Sequence, residues 1–181
     1  MKVTPLLIPE VLIIEPTVFY DHRGFLFESF NIREFKKLTK LDVNFVQENL
    51  TKSFRGVLRG LHYQLPPHSQ GKLVSVIQGE VFDIAVDIRK NSPTYGEYVS
   101  QILSADNKKQ MWIPEGFAHG FVTLSITSEF LYKTTDFYCP ESECCILWND
   151  DTLNIEWPKH LKIEVSNKDF FGKNFESIQL F

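Results

Sequence analysis

Apolar and polar residues alternate along much of this chain with the period of two that a strand with one buried face requires. The pattern is clearest over 82–88, where Phe82, Ile84, Val86 and Ile88 share a face and Asp83, Ala85 and Asp87 share the other. Further strands are predicted near 98–103, 110–113, 117–124 and 146–148, separated by turn signals such as Asn91-Ser92-Pro93-Thr94. Residues 1–30 read as short apolar runs broken by Pro and by the turn Asp21-His22-Arg23-Gly24. Just after that turn, Phe25, Phe27 and Ser29 alternate with Leu26, Glu28 and Phe30. The run 44–50 is extended, with Gln47 and Asn49 on the face of Phe45.

Helical periodicity is scarce. Residues 31–40 form one short amphipathic helix, capped by Asn31 or Ser29, in which Ile32, Phe35 and Leu38 recur three apart. A second helix start is written at Ser166-Asn167-Lys168-Asp169, a capping-box pattern with Asp169 near the place usually taken by Glu. Short strands at this spacing predict a mainly β sandwich or barrel with a few short peripheral helices. Heptads, internal repeats and low-complexity segments are absent from the sequence.

Composition narrows the setting. The 181 residues, 43% hydrophobic and 23% charged, suit one domain over 1–181 with a real core. The net charge of -4 and the lack of a Lys/Arg cluster argue against nucleic acid, so an anionic ligand must meet local cations. The apolar start LLIPEVLII is broken by Pro9 and Glu10, which fits neither a signal peptide nor a membrane span. Cys139, Cys144 and Cys145 are odd in number and lack metal-ligand spacing, so reduced thiols and a cytoplasmic setting are expected.

Candidate chemistry is concentrated between Arg59 and Ile84, which read as two strands meeting at a Pro/Gly/Ser loop. His62 and Gln64 share a face there, while Leu61, Tyr63 and Leu65 point into packing. Past the loop, Lys72 stands at the mouth of a row continued by Val74 and Val76. This stretch resembles the first motif of the cupin superfamily, with His62 at the first His position and Gly79 at the final Gly. Gln64 replaces the second His, however, and Lys72 replaces the Glu. Pro114-Glu115-Gly116-Phe117-Ala118-His119 resembles the second cupin motif and puts His119 at its last ligand position. A site that has exchanged a carboxylate for an ammonium repels a divalent cation, so a metal-free pocket is expected.

Other residues carry two readings from local sequence. Phe130, Tyr132, Thr134, Asp136 and Tyr138 would share a face, supplying a proton donor and a stacking platform, although tyrosines are also simply favoured in strands. From residue type alone, Arg23 and Glu28 read as a solvated turn and an edge charge rather than as ligand contacts. Asp169 reads as a helix-cap residue.

Taken together, the ordered matches DHRG, VLRGLHYQ, GKLVSVIQGEVFD, SPTYG, MWIPEGFAHGF, EFLYKTTDFY, ILWND and SNKD resemble the dTDP-4-dehydrorhamnose 3,5-epimerase family over nearly the whole chain. That resemblance implies a cupin-type jelly roll, a dTDP-sugar substrate, no cofactor, and a homodimer to which N-terminal strands contribute. It also implies His62 as general base with Asp169 bonded to it, Tyr132 as proton donor, and Lys72 facing the ketone oxygen. Arg23, Glu28, Gln47, Glu48, Asn49, Arg59, His119, Glu143 and Lys168 match ligand-binding positions, and Tyr138 matches the aromatic beside the substrate. Residues near Arg23 and Glu28 would come from the partner subunit. Two departures stand out: Leu50 occupies a place where histidine is common, and the tail FFGKNFESIQLF has no counterpart.

The implied residue types suit epimerisation next to a ketone. A histidine accepts a proton near neutral pH, and a carboxylate on its other nitrogen fixes the tautomer. A lysine stabilises the developing enolate, and a phenol, protonated at neutral pH, returns a proton from the opposite face. A single-position epimerase or ketoisomerase on a related nucleotide sugar would need the same groups. A metal-dependent cupin and a non-catalytic sugar-binding cupin are the remaining alternatives.

Overall fold

A computed structural model describes residues 1–178. The first half contains β1 Lys2–Pro5, β2 Leu12–Glu15, β3 Val18–Asp21, β4 Gly24–Phe27, helix α1 Ile32–Thr39, β5 Gln47–Phe54 and β6 Leu58–Gln64. The second contains β7 Lys72–Gln78, β8 Glu80–Asp87, β9 Tyr98–Ser104, β10 Gln110–Ile113, β11 Phe117–Thr123, β12 Thr127–Thr134, β13 Glu143–Cys145 and helix α2 Asn167–Phe170.

Two sheets carry the architecture, a six-stranded one in the order β1-β2-β10-β7-β12-β5 and a five-stranded one in the order β13-β6-β11-β8-β9. Their inner faces share one core, in which Val74, Val76, Met111 and Phe130 of the first sheet meet Val81, Ala85, Leu103 and Phe121 of the second. Neighbouring strands are antiparallel, and from β5 onward successive strands alternate between the two sheets except for the β8–β9 hairpin, as in the cupin-type double-stranded β-helix. The outer face of the five-stranded sheet is covered by the C-terminal segment through Leu153, Trp157 and Phe175. On the other side Phe35 of α1 packs with Ile14, Leu73 and Trp112.

Local chemistry explains the boundaries. The Asn31 side chain accepts from the Arg33 and Glu34 amides to start α1, and Lys40, at φ 62°, ends it in the left-handed region. Gly60 is required by a close approach: a Cβ there would lie 2.5 Å from the Gly120 Cα, so its absence lets β6 and β11 meet and sets His62 opposite His119. Gly79, at φ +78°, makes the β7–β8 turn, where a side chain would strike the Thr127 carbonyl.

Several expectations need correction. The strand expected at 146–148 lies three residues earlier, at Glu143–Cys145. The aromatic row expected to run to Tyr138 stops with β12 at Thr134, after which the chain turns. Strand β8 does not have one apolar and one wet face, because Asp83 and Asp87 are as buried as their neighbours. Residues 179–181, the end of the tail expected to lack a counterpart, lie outside the described residues. Among the described residues, no helix is long and apolar enough to cross a membrane.

Candidate active site

The strand ends and α2 together surround a cavity of about 310 Å³ whose wall includes Arg59, His62, Lys72, His119, Tyr132, Tyr138, Glu143, Lys168 and Asp169. His62 comes from β6 and Lys72 begins β7, so alternation aims the first into the cavity while its neighbours Leu61 and Tyr63 pack behind it. Asp169 comes from the far end of the chain. Ser166 caps α2 by accepting from the Asp169 amide at 3.2 Å, and that turn delivers the carboxylate.

Asp169 Oδ1 lies 2.6 Å from His62 Nε2, across 107 residues of sequence. Burial alone would raise the Asp169 carboxyl, but hydrogen bonds from His62, Ser166 and the Gly60 amide hold it below the usual carboxylate range. A carboxylate at this place binds the Nε2 proton, which leaves Nδ1 as the basic nitrogen of the ring. The turn that Ser166 caps thus carries the carboxylate that meets His62.

Lys72 is 8% exposed, and its Nζ donates to the His62 carbonyl oxygen at 3.1 Å. Burial lowers it to about 8, against the raising influence of Glu143 and Asp83. Behind it, His119 Nε2 lies 3.0 Å from both oxygens of the fully buried Asp83. Burial pushes Asp83 up and His119 down, which favours the uncharged form of the pair. Nothing in the sequence singles out Asp83, which reads there as the polar half of an alternating strand. Only the β8–β11 pairing reveals it.

Tyr132 projects from β12, and burial raises its phenol, so it is protonated at neutral pH despite the Arg59 charge. Arg59 is held by Ser53 Oγ at 3.0 Å and the Lys52 carbonyl at 3.3 Å. At the mouth, the Tyr138 hydroxyl donates to Glu143 at 2.7 Å, and Glu143 also pairs with Lys168. Those partners outweigh burial and keep Glu143 ionised.

A shallower recess of about 260 Å³ adjoins the cavity, sharing Gln70, Tyr132 and Tyr138 with it and adding Gln47 and Asn49. Glu48 is not part of either. It points to the opposite face of β5 and pairs with Lys133, as strand alternation between Gln47 and Asn49 demands. Arg23 and Glu28 also lie outside this cavity: Arg23 tips the β3–β4 hairpin bound to Asp21 at 2.5 Å, and both residues are exposed. Gln64 does not offer a free amide to the cavity, because that amide is spent on backbone groups.

Metal ligation fits these residues poorly. His62, Cys145 and Asp169 each place one donor atom within 4.8 Å of the others. Yet burial pushes the Cys145 thiol up to about 12, whereas a ligand must be the thiolate, and the Asp169 oxygen is already engaged by His62. His119, the other cupin position, is held by Asp83.

Comparison with known proteins finds relatives along nearly the whole chain. Residues 5–177 match the family model described as dTDP-4-dehydrorhamnose 3,5-epimerase. A dTDP-4-dehydrorhamnose 3,5-epimerase of Pseudomonas aeruginosa is 57% identical over 181 residues, covering 100% of this chain and 99% of that protein. The crystal structure of a Legionella pneumophila dTDP-6-deoxy-D-glucose-3,5-epimerase in complex with dTDP-4-keto-L-rhamnose is 49% identical, with a TM-score of 0.95 and coverage of 98% and 94%. A Streptomyces bikiniensis 3'-monoepimerase in complex with dTDP-quinovose is more distant, at 29% identity and a TM-score of 0.90 over 96% and 87%. A dyad of imidazole and carboxylate, a buried lysine and a phenol around one cavity, together with a match over nearly every residue, place the chain in the dTDP-4-dehydrorhamnose 3,5-epimerase family, a family of isomerases.

Proposed function

We propose that this chain converts dTDP-4-dehydro-6-deoxy-D-glucose to dTDP-4-dehydro-L-rhamnose by inverting the two carbons that flank the 4-ketone. The observation that carries the reading is the 2.6 Å contact between His62 and Asp169 in the wall of a cavity shared with Lys72 and Tyr132. His62 Nδ1 takes the proton next to the ketone. Asp169 holds the ring's tautomer and stabilises the imidazolium. Lys72 meets the enolate oxygen with a positive charge already in place, and Tyr132 returns a proton to the opposite face. The ketone itself acidifies both carbons, so the same four groups serve each inversion in turn.

Arg59 and Lys168 supply the local positive charge that a diphosphate needs on a chain of net charge -4. The sugar then fits the inner cavity, and the nucleoside takes the shallower recess beside Tyr138. His119, Asn49 and Glu143 complete the ligand's surroundings. We further propose a homodimer of one-domain chains. Its support is the β3–β4 hairpin, which exposes Phe19 and Leu26 on one face and Tyr20 and Phe25 on the other, carries Arg23 at its tip and leads to Glu28. Such a hairpin suits insertion beside the cavity of a second copy. The free cysteines Cys139, Cys144 and Cys145 fit a cytoplasmic setting.

The test is turnover of dTDP-4-dehydro-6-deoxy-D-glucose in deuterated water, followed by reduction of the product and NMR. Deuterium at both carbons 3 and 5 with an L-rhamno product is the expected result. Deuterium and inversion at carbon 3 alone would make this a single-position epimerase, and no turnover would overturn the reading.

A further inference from the structure

Four consecutive residues beside the cavity, Asp136 to Cys139, each have a backbone group bonded to a glutamine side chain. Gln70 Nε2 donates to the Asp136 carbonyl at 2.8 Å, and Gln64 Nε2 donates to the Phe137 carbonyl at 3.2 Å. The Tyr138 amide donates to Gln47 Oε1 at 3.0 Å, and the Cys139 amide donates to Gln64 Oε1 at 2.9 Å. The three glutamines come from separate places: the start of β5, the end of β6 and the loop before β7.

Packing does not hold this loop. Phe137 is 62% exposed and Tyr138 51% exposed, so little apolar burial fixes either ring. Gln64, by contrast, is 4% exposed, and its Nε2 also reaches the His68 carbonyl at 2.6 Å, joining the loop to its neighbour across the cavity mouth. A primary amide suits this position, because it donates and accepts at once without adding charge where an anionic ligand must pass.

We infer that Gln64, with Gln47 and Gln70, is a positioning residue that holds the Tyr138 ring at the cavity mouth and so sets affinity for the nucleoside end of the substrate. The residue that stands in place of a second cupin histidine thus carries the recognition loop. Gln47, matched to a ligand-binding position in the sequence, acts through the Tyr138 amide. The inference rests on the reading of Tyr138 as the aromatic beside the substrate.

The experiment combines amide hydrogen exchange in the free enzyme with steady-state kinetics for Gln64→Leu and Gln70→Leu, alone and with Tyr138→Ala. Exchange at 136–139 is expected to quicken by about tenfold, and KM to rise by about tenfold with the loss confined mainly to KM. Adding Gln64→Leu to Tyr138→Ala is expected to raise KM no further. Unchanged exchange at 136–139, a KM increase that multiplies in the double variant, or a shifted pH profile of kcat would overturn the inference. Should Gln64→Leu fail to fold, Gln70→Leu carries the same expectations. Failure of the substrate reading would show separately, as absence of turnover by the unaltered enzyme, while the exchange measurement needs no substrate.

Discussion

His62 and Asp169 form a 2.6 Å contact that joins the middle of the chain to its last helix, and the carboxylate in that contact is 3% exposed. Asp169→Asn keeps the shape but presents an amide that can turn its NH2 to Nε2, moving the ring proton to the nitrogen that must act as base. A loss of about a thousandfold in kcat with KM nearly unchanged is expected. Steady-state kinetics check this, and a variant within threefold of the parent would remove Asp169 from the mechanism.

Lys72 trades stability for charge. Lowering it from its ordinary 10.5 to about 8 costs the folded state on the order of 3 kcal/mol at neutral pH. Lys72→Met is therefore expected to lose about a hundred- to a thousandfold in kcat. The same variant should unfold at higher urea concentration, by up to about 2 kcal/mol after the lost bond to the His62 carbonyl is counted.

The same lysine gives a pH dependence with a definite sign. Below about 8 the ammonium is present in the free enzyme, and above it the charge is lost, so kcat/KM is expected to fall on the alkaline side of about pH 8. Folding stability runs the other way. Between about 8 and 10.5 the unfolded chain holds more protons, so this group's contribution rises with pH through that window. Lys72→Met should abolish that rise, as paired urea titrations would show.

Tyr132→Phe separates the two proton transfers. His62 can still remove a proton and return solvent deuterium to the same face, so deuterium should enter the substrate while inverted product falls by about a hundredfold or more. Loss of deuterium entry together with inversion would assign Tyr132 to the first transfer instead.

Arg23 and Glu28 test the assembly. If each site borrows the hairpin of a second copy, Arg23→Ala and His62→Ala are separately impaired, but mixing them after unfolding and refolding regenerates one intact site in each mixed pair. Equal mixing is then expected to restore about a quarter of the parent activity. No recovery in a mixture shown to contain mixed pairs would place Arg23 in its own chain's site or in none.

Legibility follows the range of the interactions. The cap of α1 at Asn31 and the faces of His62, Gln64 and Lys72 follow from neighbours in sequence, and the structure reproduces them. Alternation also separates Glu48 from Gln47 and Asn49, although the family resemblance groups the three. Asp83 is hidden for the opposite reason. Its strand shows ordinary alternation, and only pairing with β11 supplies the histidine that gives the buried Asp83 side chain a hydrogen-bond partner. Asp169 is visible locally as a cap, and its partnership with His62 comes from resemblance, because no local rule joins residues 107 positions apart.

The segment that coats the outside of the five-stranded sheet also delivers Asp169, held by α2 and by the bridge between Ile146 and Lys173. Peeling that coat away would leave most of the strand ladders standing while withdrawing the carboxylate that holds the His62 ring. Gradual warming is thus expected to silence turnover before circular dichroism reports any melting of the β-structure.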